Sequence, residues 1–337
     1  MIFVVGSSRS GTTMMGRVLG KCPLVHTFGE LHFFEHMVDS AGVRDREALL
    51  KDQAETLVRR LLTSSRKDFF APAEAGAYSH DVAEILAKAP AQDAVTLYRA
   101  VLQNETEAAG ATIACEQTPR YLFFLDEILA TFPEARVVFM VRDPRAVLVS
   151  QANKWRRRFL GAKNIPLREA VRAWSNYHPF IIAKLWASCS ATGRRFAADP
   201  RVMTVRFEDL LGDPEAVVAS VAAHAGIPYS QDMLAVPQIG SSHGQDTPDQ
   251  LGVNPAMISS WKSGGLSLSA LGLCEWAAGD QMRHRGYELQ GSGNFPWRAI
   301  PSMVMLVFKM AIALPLNLSR TKNLSETLRR RFGKGSL

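Results

Sequence analysis

Residues 2–19 read IFVVGSSRSGTTMMGRVL, and this stretch decides the fold. Ile2–Val5 is a short apolar run that predicts a buried strand. Gly6-Ser-Ser-Arg-Ser-Gly11 is turn-rich, and from Thr12 onward Met15, Val18 and Leu19 recur at helical spacing. A strand, a glycine loop and a helix without a linker lay loop amides and a helix N-terminus around an anion.

The loop nearly matches the GxxxxGK[ST] pattern of nucleotide-binding proteins, and the mismatch carries information. Thr12 stands where a nucleotide hydrolase places its phosphate-binding lysine, and the cation sits three residues earlier, at Arg9. Such a loop can hold a phosphate-like anion but lacks the lysine that ATP hydrolysis or kinase chemistry uses. A P-loop kinase or NTPase and a noncatalytic anion-binding or membrane-scaffold protein stand as the alternative readings.

Outward from this unit, Arg136–Val141 (RVVFMV) and Arg201–Phe207 predict two further strands. The first runs into Arg142-Asp143-Pro144 and a helix over 144–155; the second runs into polar Glu208–Pro214 and a helix to about 225. Asp45–Ser64, Asp81–Lys88 and Asp93–Ala109 read as helices divided by Pro72, Gly76 and Pro90. Glu116–Phe132 fits a helix with Pro119 in its first turn. Strands alternating with helices imply an α/β, P-loop-like three-layer domain with a mostly parallel central sheet and helices on both faces. Ligands bind at the carboxyl ends of such strands, where all three loops fall.

With these motifs in order, the chain resembles the sulfotransferases that use 3′-phosphoadenosine 5′-phosphosulfate (PAPS), closest in style to the tyrosylprotein and bacterial branch. That family's 5′-phosphosulfate loop reads RSGTT or KSGTT, matched by Arg9, Ser10, Gly11, Thr12 and Thr13. The resemblance implies that Arg9 contacts the bridging oxygen and the transferred group, where a fixed cation stabilises charge developing on the leaving phosphate. VRDPR continuing to Ser150 resembles the 3′-phosphate motif, which assigns Arg142 and Ser150 to that phosphate. A helix-cap Asp143 followed by Pro144, with two solvated arginines, explains less of the string.

The acceptor needs a base beside the sulfuryl group. Glu30, in Thr27-Phe-Gly-Glu-Leu-His-Phe-Phe34, matches the Gly-Glu of the tyrosylprotein branch and is the chosen base; a helix-start carboxylate is the bland reading. His32 is the alternative base. Its spacing from His36 also permits a metal, but the sequence supplies no third ligand, and no metal is expected. Glu116-Gln-Thr-Pro119 resembles a family Glu-Lys-Thr-Pro segment with Gln117 in the lysine's place, so Glu116 either assists catalysis or caps a helix. Ser259–Gly265 resembles a segment that closes on PAPS, giving Lys262 as a phosphate contact and Trp261 as a neighbour of the adenosine. Phe207 replaces a family tyrosine, leaving packing as its role.

The 337 residues are 47% hydrophobic and 21% charged, an ordinary globular composition with core enough to dispense with disulfides. Cys22, Cys115, Cys189 and Cys274 form no close pair, so reduced thiols are expected. Met1–Val5 lacks the features of a signal peptide, which makes the cytoplasm the default. Net charge is +7, and the last 21 residues hold Arg320, Lys322, Arg329, Arg330, Arg331 and Lys334 against Glu326 alone. That distribution argues against a nucleic-acid-binding body and for an anionic contact made by the tail. Before it, Met303–Leu316 is apolar apart from Lys309, short of the about 20 residues that span a membrane. It reads either as a core-facing or subunit-facing helix, in a homo-oligomer, or as an interfacial helix at the inner face of a membrane whose basic sequel meets lipid over 303–334. The expected layout is a catalytic domain over 1–292, with a helical acceptor-side region near 40–110, and an apolar-then-basic extension over 293–337. The acceptor is a small molecule, a carbohydrate or a lipid.

Overall fold

The computed structural model describes residues 1–38, 43, 46–69, 71–152, 167–238, 247–259, 261–318 and 328–331. β1 (Ile2–Gly6) is the middle strand of a five-stranded sheet of order β2-β3-β1-β4-β5. Its partners are β2 (Val25–Thr27), β3 (Ile113–Glu116), β4 (Arg136–Val141) and β5 (Val202–Arg206). Every pairing in this sheet is parallel. β6 (Pro237–Gln238) and β7 (Thr247–Leu251) form a separate antiparallel pair.

The helices are α1 (Thr12–Leu19), α2 (Lys51–Arg66), α3 (Ser79–Lys88), α4 (Ala94–Ala108), α5 (Leu125–Thr131) and α6 (Pro144–Ala152). Then come α7 (Leu167–Asn176), α8 (Pro179–Arg195), α9 (Phe207–Gly212), α10 (Pro214–Ala225), α11 (Leu268–His284) and α12 (Ile300–Leu318). Alternation along the central strands sorts them into two layers. Phe3, Val5, Val137 and Phe139 enter one apolar cluster with Val58 of α2, Tyr98 of α4, Ile128 of α5, Trp186 of α8 and Met282 of α11. Ile2, Val4, Val138 and Met140 enter the other with Met15 of α1, Leu210 of α9 and Val218 of α10. A strand buried on both faces has no polar side, which is why IFVV and RVVFMV are continuous apolar runs.

Several local expectations change. β2 and β3 are too short to show a period, and neither emerges from the sequence pattern. Glu116 ends β3 rather than opening a helix; Pro119–Phe124 is a 3₁₀ turn, and α5 begins only at Leu125. The polar segment after β5 folds partly into α9, because Phe207, Leu210 and Leu211 all bury. α12 runs through Pro315 to Leu318, longer than the fourteen-residue reading. Asp45, residues 153–155, Ser260, Arg320, Lys322, Glu326 and Lys334 lie outside the described residues.

Sheet order places the functional loops. From β1 the chain crosses to β2, returns to β3 beside β1, and then passes to β4 on the other side. The loops leaving β1 and β4 therefore lie at a topological switch point, the position at which sheets of this kind bind ligands.

α8 packs on β4 through Gly193, where a Cβ would stand 2.0 Å from a ring carbon of Phe139. Gly193→Ala is expected to destabilise the fold by about 1–3 kcal/mol through overpacking, despite the better helix propensity of alanine. Urea unfolding checks this; an unchanged midpoint would refute the close helix–strand approach.

Candidate active site

Gly11 adopts φ 93, and a Cβ there would stand 2.4 Å from the Phe207 ring. Both backbone and neighbour therefore require glycine. It is also the N-cap of α1, with no side chain capping the helix and no acidic residue in the first turn. The positive end of the helix is thus left facing the loop.

Arg9 adopts φ 72, uncommon for a residue with a side chain and of the kind that gathers at functional sites. Its Nε donates to Ser150 Oγ at 2.8 Å, and its carbonyl accepts from Arg142 Nη1 at 3.2 Å. The two sequence motifs therefore meet directly. Arg142 lies 4.4 Å over the Phe207 ring and donates through Nη2 to the Met257 carbonyl. Burial pulls its pKa below the usual arginine value, against the opposing charges of Glu208 and Asp143. Ser10 Oγ and Arg142 Nε are buried with no hydrogen-bond partner. Polar atoms orphaned beside basic side chains are what a bound anion satisfies, so these residues fit a phosphosulfate donor. Thr12 is buried at the start of α1, and Thr13 is exposed beside it.

The second arginine of RDPR behaves differently. Arg145 Nη2 lies 2.7 Å from Asp143 Oδ2, Nη1 lies 3.4 Å from Glu275, and the guanidinium stacks 3.9 Å from the Trp261 ring centroid. Asp143 Oδ1 also accepts from the Arg145 amide at 2.8 Å. Asp143 is therefore the capping residue, but neither arginine is solvated. Trp261 faces Arg145, and Lys262 is exposed beside it. Gly265 lies against Val149 of α6, so this loop covers the RDPR segment. The sequence missed Trp186, whose indole N–H donates to the Arg142 carbonyl at 2.8 Å, and Tyr287, whose hydroxyl donates to Glu208 at 2.9 Å. Both act through partners remote in sequence.

On the other side of β1, Glu116 ends β3 fully buried. It accepts from the Leu31 amide at 3.0 Å, from the Thr118 amide at 3.1 Å and from the Thr118 hydroxyl. Burial pushes its pKa up to about 7 against these bonds. Without access to an acceptor, Glu116 pins the turn that carries Glu30 rather than acting as a base. Glu30 is half exposed, its Oε2 3.1 Å from His32 Nε2. His32 is buried, and its Nδ1 lies 3.1 Å from Glu35 Oε1. Burial alone would lower the His32 pKa, but bonds to Glu30 and Glu35 raise it to about 9. Both ring nitrogens of His32 already face carboxylates, so neither is left over to take a proton from an acceptor.

The structure also supplies the third donor that the sequence lacked: atoms of His32, Glu35 and His36 lie within 4.8 Å of one another. Both His32 nitrogens are already bonded to carboxylates, and Glu35 lies near Arg120 and Arg331. A cation would have to displace the His32 proton and sit beside two guanidiniums, so ion pairs account for the cluster. The four cysteines are free and buried, as expected.

A family model described as the sulfotransferase family matches residues 2–231, and the chain belongs to that family. It is a PAPS-dependent enzyme, releasing adenosine 3′,5′-bisphosphate (PAP); the kinase and noncatalytic readings fall away. The sulfotransferase domain of the Synechococcus PCC 7002 olefin synthase shares the fold with a TM-score of 0.54 at 22% identity, covering 86% of this chain and 95% of that one. The sulfotransferase domain from the curacin biosynthetic pathway gives 0.51 at 18% identity, over 86% and 98%. No curated protein matches the chain in sequence.

Glu116→Ala strands two buried amides and a hydroxyl, at about 1–3 kcal/mol for each unsatisfied group before relaxation. A loss of about 2–4 kcal/mol is expected in denaturant unfolding; a loss below about 0.5 kcal/mol would contradict the pinning role.

Proposed function

We propose that this chain moves a sulfuryl group from PAPS to an acceptor hydroxyl or amine by in-line displacement, with Glu30 as base and Arg9 supporting the leaving phosphate. The acceptor oxygen or nitrogen bonds to sulfur as the sulfur–oxygen bond to the phosphate breaks. The electron pair stays on the phosphate oxygen beside Arg9, and the acceptor proton passes to Glu30. Ser10, Gly11, Thr12 and Thr13 hold the 5′ end, Arg142 and Ser150 hold the 3′-phosphate, and Lys262 covers it. The observation that carries this reading is the left-handed Arg9 bonded to Ser150 and Arg142, beside the orphaned Ser10 Oγ and Arg142 Nε. Gly29-Glu30 supports kinship with the tyrosylprotein and bacterial branch.

Arg9→Ala is expected to lower kcat by about 10²–10³-fold, the scale of losing one preorganised electrostatic donor. Glu30→Gln should lower it by about 10²–10⁴-fold while PAP binding persists, as calorimetry would show. Near-normal turnover in either variant would remove that residue from its role.

The apolar face of α12 supports a second element, contact with a membrane surface and an amphiphilic lipid or carbohydrate acceptor. Trp297–Asn317 has a mean hydropathy of 1.9 with 11% of its apolar window buried, so it is long and apolar enough to cross a membrane. Val304, Val307, Phe308 and Leu314 are all more than half exposed. Yet the helix is held side-on: Ser302 bonds His178, Lys309 donates to the Trp174 and Tyr177 carbonyls, and Asn317 bonds Asn176. That attachment favours an interfacial helix over a span. It also turns the lysine away from the apolar face.

The basic sequel contributes less to lipid than its composition implies, because Arg330 pairs with Glu127 and Arg331 lies near Glu35. Val307→Glu with Phe308→Glu should abolish liposome flotation and leave turnover of a soluble acceptor intact. Unchanged flotation would refute the lipid contact, and a dimer dispersed by the same pair would assign this face to a second copy.

A further inference from the structure

We propose that residues 328–331 are a working part of the acceptor side, with Arg331 fixing the position of Glu30 through Glu35 and His32. The inference rests on Glu30 as the base and concerns how that base is held.

A general base is effective only when its geometry is fixed, and a half-exposed carboxylate has little of its own to fix it. Glu30 has one neighbour suited to the task, the His32 imidazole at 3.1 Å. His32 is itself over-determined. Its backbone is left-handed at φ 55, its ring is buried edge-on against Phe69 at 4.5 Å, and its Nδ1 faces Glu35. Glu35 has only 4% of its side chain exposed, and a carboxylate so buried needs compensating charge. Arg120 supplies one guanidinium at 3.4 Å and Arg331 a second at 3.8 Å. These contacts, together with His32, hold the Glu35 carboxyl at about 2 against the upward push of burial. An unbroken series of contacts thus runs from Glu30 through His32 and Glu35 to Arg331.

Arg331 is delivered there by a separate anchor. The neighbouring Arg330 donates to the Phe123 carbonyl at 2.9 Å, pairs with Glu127 and stacks 4.4 Å from the Phe124 ring centroid. Phe123 and Phe124 close the 3₁₀ turn that carries Arg120, so one docking site seats both arginines around Glu35. Burial lowers the Arg331 pKa to about 10, consistent with a guanidinium held inside the protein rather than offered to solvent. Residues 328–331 lie beyond the stretch matched by the family model, which ends at residue 231. The segment therefore brings a guanidinium to Glu35 from outside that stretch.

The test is a double-mutant cycle on the full chain, read as kcat with PAP affinity and unfolding midpoint as controls. Arg331→Ala should lower kcat by about tenfold with PAP affinity unchanged, and by much less in a Glu30→Gln background, because coupled residues are non-additive. Arg331→Lys should restore part of the loss, and Glu35→Gln, which keeps the side-chain shape, should reproduce it. A normal kcat in Arg331→Ala, or the same fold-loss in both backgrounds, overturns the inference and leaves the base intact. Normal turnover in Glu30→Gln instead overturns the base, and the positioning role with it.

Discussion

The pairing of β1 with β4 is the constraint on which the site depends. Five consecutive residues match, from Ile2 opposite Arg136 to Gly6 opposite Met140. At its last step the two backbones crowd: a Cβ on Gly6 would stand 2.4 Å from the Met140 carbonyl oxygen. The two strands thus release their loops side by side and at one level. One loop carries Arg9 and the other Arg142, which is why residues 133 positions apart can share a hydrogen bond. A slip of one residue would turn every side chain of β1 to the opposite face and separate the two loops.

Around these two loops the charges are arranged unevenly, one arginine being closed off by carboxylates and the other not. RDPR holds two buried arginines. Arg145 is closed off by Asp143, Glu275 and the Glu288 carbonyl. Arg142 has carbonyl oxygens and an aromatic face as partners, with one nitrogen orphaned. Keeping a cation so poorly compensated out of water is costly, and an incoming anion recovers that cost as binding energy. Ser10, buried with its hydroxyl unpaired, belongs to the same arrangement.

The half of the molecule that carries the β1 and β4 loops was largely legible in the sequence because its information is local. Strand, loop and helix follow one another in residues 2–19, and VRDPR follows RVVFMV without a break. The sheet's outer half was not. VHT and IACE are too short to show a period, and their burial depends on neighbours far along the chain. Glu116 shows the consequence. Its Glu-Gln-Thr-Pro context suggested a helix start, whereas the strand pairing with Ile2 and Phe3 buries it and turns it to the Leu31 amide. Trp186, Tyr287 and Glu35 escaped for the same reason, since each acts on a partner that only the tertiary fold brings near.

The residues around Glu30 show how a half-exposed carboxylate can be held without being buried. Glu30 stays half exposed, while order is imposed two residues away, at the buried His32. His32 in turn needs a carboxylate behind it, and that carboxylate needs guanidiniums. Each step moves the charge further from Glu30, until it ends at the half-exposed Arg120 and the largely buried Arg331. Because Arg331 follows α12 in sequence, the apolar helix and the charge network behind Glu30 belong to one stretch of chain.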